Sequence, residues 1–244
     1  MAAKPPLRVS YLGAYRLDVE TVRARRPIAP SRGWAYGGRV HDGGVVLGSN
    51  ERVRNLDIEV LSDHWYVLRK VSFDYRHRDG TWSREVREAY DRGNGATILL
   101  YDPDAATVLL TRQFRLPAFV NGHPDGMLIE TAGGLLDGDD PEAAVRREAE
   151  EESGVRVDAI TRVFELFMSP GSVTERVTFF AATYSHDQRV SAGGGLSAEG
   201  EDIEVLELAL ADALSMVERG EIADGKTVLL LQWAQLQGIA SARR

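Results

Sequence analysis

The chain has no cysteine. That excludes disulfide staples, thiolate zinc sites and cysteine nucleophiles, and it is compatible with a reducing compartment. Long hydrophobic runs are missing too. Stretches such as Val228 to Leu231 are far too short to span a bilayer. The opening Met1-Ala2-Ala3-Lys4-Pro5-Pro6 lacks the apolar centre of a signal peptide, so a cytoplasmic, soluble protein without a membrane partner is expected. Internal repeats and low-complexity tracts are also absent. Net positive charge is lacking: the formal charge is −8. It is unevenly spread, because residues 1–50 hold eight Lys/Arg against three Asp/Glu, leaving −13 on the other 194 residues. An acidic body argues against nucleic acid as the main ligand. It does not exclude a phosphorylated substrate, since metal ions can supply local positive charge.

What is present is enough for a core. The 244 residues are 43% hydrophobic and suit one sizeable domain, with or without an arm. Residues 1–54 read as a basic, glycine-rich extension, with Arg23, Arg25 and Arg26 clustered near Pro27 and Pro30. Alternation then predicts a strand through Trp65, Val67, Val71, Phe73 and Tyr75, a turn at Asp79-Gly80, and a second strand from Trp82 to about Tyr90. Further strands are expected at Ala96 to Tyr101, Thr107 to Phe114, Met127 to Ala132, Val157 to Phe167, Val177 to Tyr184 and Ile203 to Leu208. Helices are expected after Asp140-Pro141, at Leu210 to Arg219 and at Thr227 to Leu236. This pattern suggests an α+β or mixed α/β/α sandwich.

One helix carries an anomaly. Glu148, Glu150, Glu151 and Glu152 fall within five residues at its end, behind Gly133-Gly134. Like charges four apart cost a helix roughly 0.2–0.5 kcal/mol each. Carboxylates in a last turn also oppose the macrodipole, at about 0.3–1 kcal/mol apiece. Residues three and four apart share a face, so Glu148, Glu151 and Glu152 can converge on one site while Glu150 points to solvent. Three carboxylates form a hard oxygen environment suited to Mg²⁺, or to Mn²⁺ in its place. A bare glutamate string is more often solvated surface. The strand, glycine loop and capped helix around this one make it more specific. Arg147 is placed to hold a carboxylate by charge-assisted bonding.

The segment resembles the Nudix box, G-x5-E-x7-R-E-U-x-E-E-x-G-U, with U a bulky aliphatic residue. Gly133, Arg147, Glu148, Glu151, Glu152, Gly154 and Val155 fall in register. Asp139 replaces a glutamate and Ala149 replaces the first aliphatic. Asp139 is not expected to ligate metal, and Ala149 suggests a tighter local core. Beyond the box, Tyr90 to Thr97, Arg112 to Arg115, Phe119 to Gly122, Met168 to Gly171, Ala192 to Gly195, Glu201 to Val205 and Asp224 to Thr227 resemble the GDP-mannose pyrophosphatase branch of the Nudix hydrolases. The similarity runs through residues 55–238. The ADP-ribose and UDP-sugar pyrophosphatases share the box and are the nearest alternatives.

The resemblance implies an α+β Nudix fold with a mixed central sheet, spanning residues 93–240. It also implies an N-terminal antiparallel sheet, residues 55–92, exchanged within a homodimer. The implied reaction is Mg²⁺-dependent hydrolysis of a nucleotide-sugar pyrophosphate, with GDP-mannose giving GMP and mannose 1-phosphate. The implied metal ligands are the Gly133 carbonyl, Glu148, Glu152 and Glu201, with Glu151 close by. Glu201 and Glu199 are candidates for accepting the proton of the attacking water; loop solubility is the competing account of Glu199. Trp65 is placed to face the base, although its pattern alone favours a strand core position. Arg87 and Glu88 lie near the base, where Val86 stands in place of a family lysine. Arg115 suits a phosphate, or else is a surface arginine at a strand end. Gly133, Gly134, Leu135, Glu175, Gly200 and Lys226 complete the implied substrate contacts, Gly200 standing where the family has an acidic residue. Lys226 at a helix start opposes the dipole, which mildly supports an anionic partner there. A competing class is a sugar-nucleotide sensor without turnover; the intact Glu148/Glu151/Glu152 set speaks against it.

Overall fold

The computed structural model describes residues 39–41, 45–48 and 50–239. The basic cluster at Arg23, Arg25 and Arg26 lies outside the described residues. A short antiparallel ribbon, β1 (Arg39–His41) and β2 (Val45–Leu47), comes first. A three-stranded antiparallel sheet follows: β3 (Val53–Asp63), β4 (Val67–Arg76) and β5 (Trp82–Asp91), with β4 in the middle. The Asp79-Gly80 turn joins the last two as expected, with Gly80 at φ 88.

The central sheet is mixed and has seven strands. Its main path runs β10 (Thr161–Phe167), β11 (Arg176–Thr183), β6 (Gly95–Asp102), β7 (Thr107–Phe114) and β12 (Glu204–Ala209). Only the β11–β6 pairing on that path is parallel. Two short strands, β8 (Met127–Glu130) and β9 (Ala132–Leu135), leave the path and pair with β7 and β6 respectively. β6 therefore forks: its end pairs with β7 while its start pairs with β9. A buried polar stitch holds the fork. Thr97 Oγ1 lies 2.7 Å from Thr131 Oγ1, and Thr131 N donates to Thr227 Oγ1 at 2.7 Å.

Both faces of the sheet are covered, so β6 reads as a continuous apolar run rather than an alternation. Ile98 and Leu100 pack toward α2 (Pro141–Ser153), with Ala144, Val145, Ala149 and Phe180. Leu99 packs the other way, with Phe179, Leu210, Ala213, Leu230 and Leu231 under α3 (Leu210–Glu218) and α4 (Gly225–Leu236). Burying each such side chain stabilises the fold by about 1.5–3 kcal/mol. The α/β/α layering is the expected fold class.

The glutamate helix is fixed by its ends and its small inner face. Asp140 accepts from Glu142 N at 3.0 Å and Ala143 N at 3.4 Å, Pro141 occupies the first turn, and Gly154 closes the helix at φ 73. Ala149, the departure from the box, is fully buried, so a tight helix–sheet contact replaces a bulkier side chain.

Four local expectations needed correction. Gly133-Gly134 is not a loop but lies inside β9, paired to Thr97 and Ala96. Trp65 is not a strand residue; it sits in the turn between β3 and β4 and is 78% exposed. β3 and the five-residue helix α1 (Leu116–Val120) were not anticipated. The turn entering β10 shortens that strand by four residues at its start, to Thr161. For Gly133-Gly134 and for Trp65, long-range strand pairing overrode local pattern.

Candidate functional site

The fork in the sheet and the last turns of α2 bring the site together. β9 runs directly under the glutamates. A Cβ built on Gly134 would lie 2.6 Å from Glu148 Oε1, and one on Gly133 would lie 2.3 Å from the Ala96 carbonyl. A side chain at Gly133 would meet backbone, whereas one at Gly134 would meet the end of the Glu148 side chain. Gly133 N donates to Glu152 Oε2 at 3.2 Å, tying the strand to the helix.

Glu152 is 2% exposed and forms no ion pair among the described residues. Burial, then the neighbouring Glu148 charge, pushes its carboxyl up to about 8, despite the Gly133 N–H that favours the anion. Glu148 is pushed up to about 7, first by burial and then by Glu151 and Glu201, against the pull of Arg147. Glu151 is raised by burial and by Glu199 and Glu201, again opposed by Arg147. These mutual influences place Glu148, Glu151, Glu152, Glu199 and Glu201 around one region.

Arg147 organises the outer side of the cluster. It donates to Asp139 at 2.6 Å and Glu148 at 3.3 Å, and lies 3.9 Å from Glu151. Asp139 thus acts on Arg147, which explains how the shorter acid serves at that position. Glu150 points away, into an exposed pair with Arg156.

Glu199 and Glu201 arrive on the segment after β11. That segment docks on the end of α2: Gly194 N donates to the Glu152 carbonyl at 2.9 Å, and Gly195 N to the Glu151 carbonyl at 3.0 Å. Orphan helix carbonyls are satisfied in this way. Glu201 Oε2 accepts from Leu196 N at 2.8 Å. Glu199 ends a 3-10 turn, Ser197–Glu199, closed by Gly200 at φ 78.

Glu148, Glu152 and Glu201 each accept a hydrogen bond from within the protein. Among the described residues no three acidic or histidine side chains already converge as a finished ligand cage. The chemistry of the set still fits a divalent cation. Burying anions costs several kcal/mol each unless they are paired, and Glu152 has no cation of its own. Oxygen-only ligands select hard ions.

A second charge cluster lies beside the first. Glu130, at the end of β8, is nearly enclosed; its side chain is 4% exposed. It accepts from Arg115 Nε at 2.6 Å and from Lys226 Nζ at 3.4 Å. Lys226 also donates to Asp224 at 2.6 Å. Burial and Arg115 push the Lys226 ammonium down, but Asp224 and Glu130 outweigh them and hold it above the usual lysine range. Lys226 thus has anionic partners within the chain, which removes its position at a helix start as an argument for a ligand. Asp224 also caps α4 through Thr227 N at 2.9 Å.

Glu175 sits just before β11, 3.5 Å from Arg92 and near the Gly95–Gly134 approach. Leu135, at the end of β9, pairs with Gly95 of β6. The other expected substrate residues lie on the N-terminal sheet. Trp65 packs edge-on to Tyr66, Arg87 pairs with Glu85 at 2.9 Å, and Glu88 lies exposed opposite Lys70. The sheet meets the central domain at the end of β5. There Tyr90 N donates to the Ser172 carbonyl at 2.7 Å, and Asp91 accepts from Thr174 at 3.0 Å. Sequence reasoning missed Glu130 and Asp224. For Asp224 the Asp-Gly-Lys-Thr cap was a usable signal; for Glu130 an acidic end to an apolar strand was the whole trace.

A mixed sheet between helices, with a capped acidic helix against a glycine strand, is the architecture that positions this site. The NUDIX domain model matches residues 91–231, and the chain belongs to the Nudix hydrolase family, whose members generally depend on a divalent metal. The GDP-mannose pyrophosphatase NudK N-terminal domain model matches residues 52–90. Among similar proteins is a GDP-mannose pyrophosphatase of Yersinia enterocolitica, 52% identical over 188 residues, covering 77% of this chain and 97% of that protein. Those of Klebsiella pneumoniae and Citrobacter koseri are 55% and 53% identical, covering 75% of this chain in each case and 91% and 95% of the relatives. No helix among the described residues is long and apolar enough to cross a membrane.

Proposed function

We propose that this chain hydrolyses GDP-mannose to GMP and mannose 1-phosphate with Mg²⁺. The observation that carries the chemistry is the buried Glu148–Glu152 pair against β9, two carboxylates whose charges no cationic side chain fully offsets. The choice of substrate is supported by relatives of that name matched over more than nine-tenths of their length. In this reading the Gly133 carbonyl, Glu148, Glu152 and Glu201 hold the cation, with Glu151 beside them. A cation held by these residues would supply positive charge against the diphosphate and would lower the pKa of a water. Glu201 or Glu199 accepts the proton released as water attacks. Arg115 and Lys226 contact the phosphates. Gly134, Leu135, Glu175 and Gly200 border the sugar-phosphate portion, and Trp65, Arg87 and Glu88 serve the base.

The last three residues act within a homodimer. No residue of β3 to β5 is buried in the single chain; Val60, Trp82 and Val86 on these strands are 56%, 37% and 50% exposed, and Trp65 in the β3–β4 turn is 78% exposed. A three-stranded sheet normally needs a covered face to be stable. A second copy supplies that cover and takes up the base-binding residues. The divisions 1–54, 55–92 and 93–240 and a cytoplasmic location belong to the same proposal.

The test is an Mg²⁺-dependent screen of nucleotide sugars with product identification by ³¹P NMR. GMP and mannose 1-phosphate are expected in equal amounts. Intact GDP-mannose alongside cleaved ADP-ribose or UDP-glucose would overturn the specificity, and no cleavage of any substrate would overturn the enzyme assignment.

A further inference from the structure

The Glu130 cluster has a geometry that burial alone does not require. Arg115 reaches the carboxylate through Nε. Its two terminal nitrogens have no partner among the described residues. An arginine satisfying a buried acid for its own sake would present its two-nitrogen edge to both oxygens, the stronger bidentate arrangement. Here the strong edge is left free, and the acid takes the weaker, single-point contact. Lys226 shows the same economy: two acids engage its ammonium, leaving one of three donors.

The three side chains come from separate parts of the fold. Glu130 ends β8, Arg115 caps α1 and Lys226 opens α4, 15 and 96 residues away from Glu130. Two cations held side by side repel each other, and a single acid between them offsets that repulsion while fixing both. Glu130 is rigidly placed for this. It faces Thr111 in the β7–β8 register, and its own carbonyl accepts from Thr111 Oγ1 at 3.3 Å. Arg115 also feels the Glu152 charge, so its guanidinium lies within electrostatic reach of the acidic cluster.

We propose that Glu130 is a positioning residue for substrate binding: its buried carboxylate anchors Arg115 by Nε and Lys226 beside it, which keeps the guanidinium's two-nitrogen edge available for a substrate phosphate. The proposal rests on the hydrolase reading above and adds a residue that touches no substrate itself. It acts on affinity rather than on the chemical step, because a phosphate clamp is engaged in the ground state as well as the transition state.

The experiment is a double-mutant cycle on the full chain with Mg²⁺ and GDP-mannose, using Glu130→Gln, Glu130→Asp, Arg115→Ala and the Glu130→Gln/Arg115→Ala double variant. Glu130→Gln is expected to raise KM roughly tenfold, the scale of one charge-assisted hydrogen bond, with kcat changed by less than about threefold. Glu130→Asp keeps the charge and falls between Gln and wild type. In the Arg115→Ala background, Glu130→Gln adds little, because its effect passes through Arg115. Effects on KM that simply multiply, or a loss confined to kcat and melting temperature, would overturn the proposal and leave Glu130 a structural buttress. If Glu130→Gln does not fold, Glu130→Asp carries the same cycle. The cycle is repeated by calorimetry on GDP binding. A wild-type chain that binds GDP without hydrolysing any nucleotide sugar defeats the hydrolase reading, while the calorimetric cycle still decides on Glu130.

Discussion

Replacing Gly133 and Gly134 by alanine, one at a time, separates the fold from the site. The two residues are adjacent on β9 and pair with the same strand, yet an added methyl group meets different things. At Gly134 it would meet the far end of a side chain, 2.6 Å from Glu148 Oε1 and 2.7 Å from its Cδ. Ordinary contact begins at 3.4 Å, so the carboxylate must withdraw by about 0.8 Å. A flexible side chain can do that at little cost to the fold. A displacement near 1 Å costs an active site about a hundredfold in rate, and metal–ligand distances tolerate only about 0.2 Å. Gly134→Ala should therefore lower kcat/KM about a hundredfold and weaken Mg²⁺ binding, with the melting temperature within about 3 °C of wild type. At Gly133 the methyl would lie 2.3 Å from the Ala96 carbonyl and 2.8 Å from Thr97 Cα. Backbone cannot move aside so easily, and overpacking of this kind costs about 1–3 kcal/mol or more. The melting temperature should fall by about 2–12 °C, taking about 2–4 °C per kcal/mol for a domain of this size. The assays are thermal melts by circular dichroism, Mg²⁺ calorimetry and steady-state kinetics. Wild-type kcat/KM and Mg²⁺ affinity in Gly134→Ala would refute the placement of Glu148 as a ligand against β9.

Glu152→Gln should abolish detectable turnover yet leave the cation-free melting temperature near neutral pH about unchanged, because the buried carboxyl, pushed up to about 8, is largely protonated there and glutamine matches its shape without charge; a large drop in that temperature would show the carboxylate to be stabilising as it stands. Asp91 joins the N-terminal sheet to the central domain. Burial pushes its carboxyl up, but Arg69 at 2.6 Å, Gly93 N and Thr174 outweigh that and hold it below the usual range. A depressed carboxyl contributes stability above its unfolded value near pH 4, which is lost as pH falls through the lower folded value. Asp91→Asn should thus cost about 1 kcal/mol at pH 7 after allowance for solvent screening, and the difference from wild type should vanish in strong acid, as read from urea midpoints across pH. Asp140→Ala removes the helix cap and should destabilise by about 1 kcal/mol without changing KM beyond twofold; an unchanged urea midpoint would contradict the capping role.

The helix and its chemistry were largely readable from local pattern. Asp140, Pro141 and Gly154 act within one turn of the chain, and residues three and four apart share a helix face whatever surrounds them. The strands of the central sheet were readable because double-sided burial leaves unbroken apolar runs. The reading failed where the partner was distant. Gly133-Gly134 look like a loop because glycine is a turn former, yet pairing with Thr97 and Ala96 makes them a strand. Trp65 fits an alternating run, yet the β3–β4 pairing ends at Asp63 and Val67 and leaves the indole in the turn. The start of β3 carries Arg54, Asn55 and Asp57, too polar to stand out without the knowledge that its sheet is uncovered in one chain.

By itself, the sequence determined the kind of chemistry: a capped helix presenting Glu148, Glu151 and Glu152 on one side, and no cysteine, long apolar run or net positive charge to suggest another. Those are properties of composition and of short-range geometry, which covalent spacing controls. Only the tertiary structure decided what each charge does. It gave Asp139 to Arg147, Asp224 to Lys226 and Glu130 to both Arg115 and Lys226, and it packed Glu148 against Gly134. Electrostatic energies depend on distance and burial, and residues 96 apart in the chain acquire both only when the sheet forks and the helices close over it.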